Sequence, residues 1–310
     1  MAFEMTIANS VLTFVFFFTF VLPTSSQSCN ICQSSFFDEL KIKSDAATLL
    51  CSPNKAAYIN LPLGKSCCES LSKELEKSWY SYNKLCPSAK RNKQCPSAMS
   101  TIITRQSTVD YAISQGAPQM NEVTMCFWVK TKQLKQVTGN AHYISYAVPL
   151  ATNQIYVMSQ TNLRLGICHH NSNLGNSHSL SSHNITINDG LWHHICVTWQ
   201  ANGGRYSFFK DGNKVGNGAI PDSVGKPIPG QGTWVLGQDQ DSVGGGFERF
   251  QSAIGEFTGV NVWDKVLSSF EILKMSTNCK AGGPAGNVKT WADFLSGIKG
   301  NAKIGKATCC

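Results

Sequence analysis

From about Ser107 onward, short apolar runs alternate with clusters of turn residues, and that rhythm predicts strands. The runs are Val123-Thr124-Met125-Cys126-Phe127-Trp128-Val129, Tyr143-Ile144-Ser145-Tyr146-Ala147, Gln154-Ile155-Tyr156-Val157-Met158 and Leu163-Arg164-Leu165-Gly166-Ile167. Gly139-Asn140 precedes the second run, and Pro149 separates the second from the third. Further on, Asp189-Gly190 opens a turn before Leu191-Trp192-His193-His194-Ile195-Cys196-Val197-Thr198-Trp199. Period-two alternation there sends Trp192, His194, Cys196 and Thr198 to one face and His193, Ile195, Val197 and Trp199 to the other. Tyr206-Ser207-Phe208-Phe209 and Lys214-Val215, around Lys210-Asp211-Gly212-Asn213, predict a hairpin. Gly255 to Leu267 is the last core run. Ser268 then reads as a helix N-cap with Glu271 closing a capping box. Many short strands at regular spacing argue for an all-β sandwich or jelly roll.

The texture before this region differs. Val11 to Leu22 is an apolar stretch too short to span a bilayer comfortably, and Thr24-Ser25-Ser26 follows it. Residues 1–26 therefore read as a signal peptide, although MAFEMTIANS carries no Lys or Arg. Residues 27–98 hold Cys29, Cys32, Cys51, Cys67, Cys68, Cys86 and Cys95 and form a small disulfide-rich, partly helical domain. Its helix candidates are Ser66 to Leu85, with Leu71, Leu75, Tyr82 and Leu85 near one face, and the weaker Phe37 to Leu50. Residues 87–100, with Pro87, Pro96 and scattered bases, read as a linker. The β domain is placed at 99–279, and 280–310 is read as a Gly-rich tail ending in Cys309-Cys310.

Composition narrows the setting. Thirteen cysteines and a charged fraction of 15% suit a secreted protein with disulfides. Cys29-Asn30-Ile31-Cys32 is not answered by a second pair at zinc spacing. Asn184-Ile185-Thr186 is a glycosylation sequon that a secreted chain can use at Asn184. The formal net charge is +8, and loss of the signal peptide removes only Glu4, giving about +9. The bases form no strip interleaved with aromatics, so no nucleic-acid partner is expected. An odd cysteine count leaves at least one thiol without an intrachain partner, which suggests an interchain bridge or a free thiol.

The densest chemistry lies in Leu236-Gly237-Gln238-Asp239-Gln240-Asp241-Ser242-Val243-Gly244-Gly245-Gly246-Phe247-Glu248-Arg249-Phe250-Gln251. Three carboxylates and three side-chain amides surround a glycine triplet. Hard oxygen donors on a tightly folding loop suit Ca2+. With His194, Cys196, Thr198 and Trp199, this loop makes the chain resemble the pentraxins over about Cys126 to Leu273. The order Asp-Gly, Trp-His, Trp, Asp-Gly is also that of laminin-G-like sandwiches. Against the pentraxin pattern, Ala201 departs from the signature, Asp239 stands where a Glu is usual, and Thr152 replaces an Asp.

The resemblance implies a pentraxin or laminin-G-like jelly-roll sandwich and a Cys126–Cys196 disulfide closing it. It also implies Ca2+ ligands at Asn153, Asp239, Gln240, Asp241, Glu248 and Gln251. The expected function is secreted, Ca2+-dependent binding of an anionic phosphate, sulfate or carboxylate group by a homo-oligomer. The alternative is a laminin-G-like adhesion or matrix scaffold with a degenerate ion site. No enzyme activity is expected: Glu256 lacks a carboxylate partner at an alternate strand position. His193 and His194 are read as structural strand residues, and His169, His170, His178 and His183 as exposed loop residues.

Overall fold

The computed structural model describes residues 99–133, 139–171, 175–181, 183–277 and 284–306. The chain divides into units 1–92 and 93–310, and every described residue falls in the second. The signal peptide and the Cys-rich segment with its helix candidates lie outside the described residues.

Two antiparallel seven-stranded sheets form a jelly-roll sandwich. The first orders β10 (Asn213–Ala219), β9 (Arg205–Lys210), β8 (Trp192–Gln200), β3 (Glu122–Lys130), β12 (Gly255–Trp263), β1 (Met99–Ile103) and β14 (Lys303–Lys306). The second orders β13 (Ile298–Lys299), β2 (Tyr111–Gln115), β11 (Thr233–Leu236), β4 (Ala141–Val148), β5 (Ala151–Ser159), β6 (Leu163–Asn171) and β7 (Gly175–Leu180). Alternating side chains from the two inner faces meet between the layers. Phe127 on β3 packs on Tyr143 of β4, which in turn packs on Phe257 of β12. Ile195, Val197 and Trp199 of β8 point into the same core.

The opposite face of β8 is covered too. Helix α1 (Ser269–Thr277) follows Ser268, whose hydroxyl and amide hydrogen-bond Glu271, completing the capping box. Ile272 and Met275 of α1, with Leu267 and Trp263, bury Cys126, Cys196 and Phe209 in a second apolar cluster. The disulfide between Cys126 and Cys196 is present, but it does not close the sandwich. The two cysteines are directly paired on neighbouring strands β3 and β8, so the bridge staples one sheet beneath α1.

β1 opens at Met99, the start given to the β domain, and takes in the last two residues of the stretch also read as linker. Residues 284–306 are no tail: they carry α2 (Trp291–Leu295), β13 and β14, which pair with β2 and β1. Thr290 caps α2 in a capping box with Asp293, and Phe294 is fully buried in the main core.

Candidate functional site

Strands β11, β4 and β5 are neighbours at the centre of the second sheet and carry the site on its outer face. Ile155 and Val157 point into the core, so Tyr156 between them faces away from it. His142 likewise lies opposite the core residue Tyr143, beside a break in the β4–β5 register. The two outward rings meet at 5.2 Å.

The loop between β11 and β12 folds over this face. Gly237 donates to the Tyr143 carbonyl and Ala253 to the Gly237 carbonyl, pinning both loop ends. Ser242 and Gly245 exchange two backbone hydrogen bonds, making a tight turn. Gly246 sits at φ 68°, and a Cβ there would lie 2.8 Å from the Ser242 nitrogen. The glycine is required both by its dihedral and by that approach. Phe247 packs edge-on against Tyr111 at 4.7 Å, and a short 3-10 turn, Arg249–Gln251, leads back to the sheet.

The six residues expected to hold an ion are brought to one region in unequal states. Asn153 adopts φ 53° and accepts a hydrogen bond from the Gln240 backbone at 3.1 Å, which ties the β5 strand to the loop. Gln240 is buried, and its side chain is committed. Its amide donates to Ser145 Oγ and the Thr233 carbonyl, and its oxygen accepts from Gly244. With its side-chain oxygen already engaged, its backbone carbonyl is the candidate ligand atom. Asp241 and Glu248 are exposed, whereas Asp239 is buried. Gln251 Oε1 is buried without a hydrogen-bond partner. Among the described residues, Asp239, Asp241 and Glu248 do not bring three carboxylate oxygens within 4.8 Å of one another. Thr152 is half-buried beside Asn153. The donor set is all oxygen, acidic, on a glycine-rich loop, and includes one orphaned buried amide oxygen. It fits Ca2+ in kind.

Sequence reasoning missed His142. Its Nε2 lies 3.1 Å from Asp239 Oδ1, and its Nδ1 lies 3.1 Å from the Gln251 carbonyl oxygen. Burial depresses its pKa to about 4, against the opposing pull of the Gln251 carbonyl, the Asp241 charge and the Asn140 carbonyl. Tyr156 is pushed upward by burial and then by the Asp239 charge. The alternation with Tyr143 was the available signal for His142, but it points to the site only once β4 is known to lie beside β11.

The other histidines behave differently. His194 is buried, held at about pKa 4 by desolvation, and its ring packs on Trp128 at 5.0 Å. It lies near Cys126 and Cys196, but their sulfurs are bonded to each other and offer no thiolate to a metal. His193 is clamped between Asp211, 2.8 Å from Nδ1, and Asp189, 3.0 Å from Nε2. Both are strand residues. His183 is half-buried rather than simply exposed, with Nε2 3.0 Å from the Tyr206 hydroxyl. His169 and His170 lie in β6 and His178 in β7, strands and not loops, and their side chains lie outside the described residues.

Comparison with known proteins adds the following. Residues 102–305 match the Pentaxin family model. The mouse protein named Sushi, von Willebrand factor type A, EGF and pentraxin domain-containing protein 1 is 34% identical over 195 residues, 63% of this chain and 5% of that protein. Rat neuronal pentraxin-1 is 34% identical over 190 residues, 61% of this chain and 41% of its own length. The chain thus spans less than half the length of these relatives. Among solved structures, a native heptameric SAP-like pentraxin from Limulus polyphemus shares the fold. Its TM-score is 0.55 at 24% identity, covering 68% of this chain and 96% of the other.

Proposed function

From the premise that this chain belongs to the pentraxin family, we propose that it is a secreted, non-enzymatic protein that binds an anionic group through Ca2+ held by the β11–β12 loop. One observation carries this reading: the loop is pinned over the outer face of β4 and β5, with Asn153 tied to the Gln240 backbone. The ligands would be the carboxylates of Asp239, Asp241 and Glu248, the Gln251 amide oxygen, the Gln240 backbone carbonyl and the Asn153 amide oxygen. Asp241 and Glu248, on the exposed side, leave the ion open to a phosphate, sulfate or carboxylate oxygen from a ligand. Binding of this kind breaks no bond. An oligomer of such subunits multiplies contacts with a repetitive surface, and the heptamer named for the Limulus relative supports that assembly. No described helix is long and apolar enough to cross a membrane, and the exposed Asn184 suits a glycan acceptor.

Two residues favour a second reading, a laminin-G-like scaffold with a degenerate site. Thr152 supplies a hydroxyl where the family pattern has a carboxylate, and Asp239 is turned onto His142. Retention on phosphorylcholine, phosphoethanolamine and sulfated-glycan resins, with and without chelator, tests the choice. Retention on at least one resin that chelator abolishes, and that Asp241→Asn with Glu248→Gln abolishes as well, is expected. Calorimetry that finds no binding at millimolar Ca2+ would establish the scaffold reading instead.

A further inference from the structure

His142 and Asp239 are both buried, yet the frame around the imidazole is one proton short. A carbonyl oxygen only accepts, so the contact with the Gln251 carbonyl requires the proton on Nδ1. The neutral ring then leaves the lone pair on Nε2, which lies 3.1 Å from Asp239 Oδ1. Two electron-rich atoms at that distance, away from water, need something positive between them. A second proton is one candidate and a metal cation is the other.

We propose that His142 Nε2 and Asp239 Oδ1 form a nitrogen–oxygen chelate in the wall of the ion site, so that this site also takes a borderline divalent cation such as Zn2+. Donors 3.1 Å apart can both lie about 2.0–2.1 Å from one cation, with an angle of roughly 100° at the metal. Metal-ligating histidines commonly donate their other N–H to a backbone carbonyl, which fixes the tautomer and aims the ligating nitrogen. The Gln251 carbonyl does this for His142. The same residue offers Oε1, buried and without a hydrogen-bond partner. Imidazole nitrogen is a poor donor for Ca2+ and a good one for Zn2+. Since Asp239 serves both ions, they compete. The inference shares Asp239 with the proposed Ca2+ site but does not require Ca2+ to bind.

Isothermal titration of the intact secreted chain, freed of divalent ions, tests it with Zn2+ alone, Ca2+ alone and each against the other. The expected result is Zn2+ binding at one site that weakens roughly 10–100-fold in His142→Gln, while Ca2+ binding shifts little. Asp239→Asn should weaken both. Zn2+ binding that is unchanged in His142→Gln would assign the metal to other histidines and overturn the proposal. So would no Zn2+ binding at all, which leaves a shared proton between Asp239 and His142. If His142→Gln fails to fold, X-ray absorption at the zinc edge of the wild-type chain decides: imidazole scattering lost in Asp239→Asn supports the chelate, and its absence from wild type sinks it. Failure of Ca2+ to bind, with Zn2+ bound as described, would remove the calcium reading and leave this one standing.

Discussion

Single side chains decide the site's electrostatics. His193 shows how. Burial alone would lower its pKa, and Lys210 pushes the same way, but the hydrogen bond and charge of Asp211 and the hydrogen bond of Asp189 raise it overall. A ring that holds its proton more tightly when folded stabilises the fold fully below the unfolded value of about 6.5, and that contribution is lost as pH rises through the higher folded value. The clamp ties the Asp189 turn and the β9–β10 turn at Asp211 to the start of β8. Because Asp189 and Asp211 are partly exposed, the gain is on the order of 1 kcal/mol. Urea unfolding should therefore show His193→Gln less stable than wild type near about pH 5.5, with the gap narrowing near about pH 8.5. A gap that does not depend on pH would make His193 a packing residue only. The sequence placed His193 correctly on a strand, because alternation is local. It was silent about Asp211, because that residue reaches the ring only through pairing of β8 with β9. The same limit hid His142: its partners come from residues about a hundred positions later.

At the scale of elements, local pattern served well where apolar residues repeat and failed where glycine dominates. The runs around Val123, Tyr143, Gln154, Leu163 and Trp192 are strands, and the Ser268 capping box begins α1. Residues 280–310 were read as a tail because glycine usually signals freedom in the chain. Here several of those glycines serve close approach instead. A Cβ at Gly297 would lie 1.7 Å from the Ile113 carbonyl oxygen, and Ile113 in turn donates its backbone N–H to the Gly297 carbonyl at 3.0 Å. A Cβ at Gly286 would lie 2.1 Å from the Lys289 carbonyl oxygen and 2.4 Å from that of Val262. Composition cannot separate a glycine that frees the backbone from one that lets two backbones touch. Gly297→Ala must push β2 away from the segment joining α2 to β13. Overpacking of this order costs about 1–3 kcal/mol or more, which should lower Tm by roughly 3–10 °C in scanning calorimetry. An unchanged Tm would mean that this segment does not hold to β2 in solution. The cross-strand bridge carries a related lesson. The resemblance gave the right pair of cysteines but the wrong role, because only sheet order shows that β3 and β8 are neighbours.

For the whole molecule, the cysteine count acquires a different meaning once the sandwich is in view. Thirteen is odd, and the leftover thiol was open to two readings, an interchain bridge or a free group. Cys126 and Cys196 are joined, and Cys168 on β6 is a free, fully buried thiol. Burial pushes its pKa up to about 11, so it is neither ionised nor reachable at neutral pH. Removing these three from thirteen leaves ten, an even number, all outside the described residues. Parity therefore gives no further reason for a covalent link between chains, and self-association rests on the family resemblance and on interfaces. The expected outcome is specific. The native secreted protein should not react with a thiol reagent, and the unfolded, unreduced protein should expose one thiol per chain, which Cys168→Ser removes. Light scattering should still find an oligomer, and a non-reducing gel shows whether it survives denaturant. Subunits that separate there without reductant are held by surface contacts alone. Zero thiols in the unfolded wild type would mean that Cys168 is bridged, returning an odd cysteine to the rest of the chain and restoring the case for a covalent assembly.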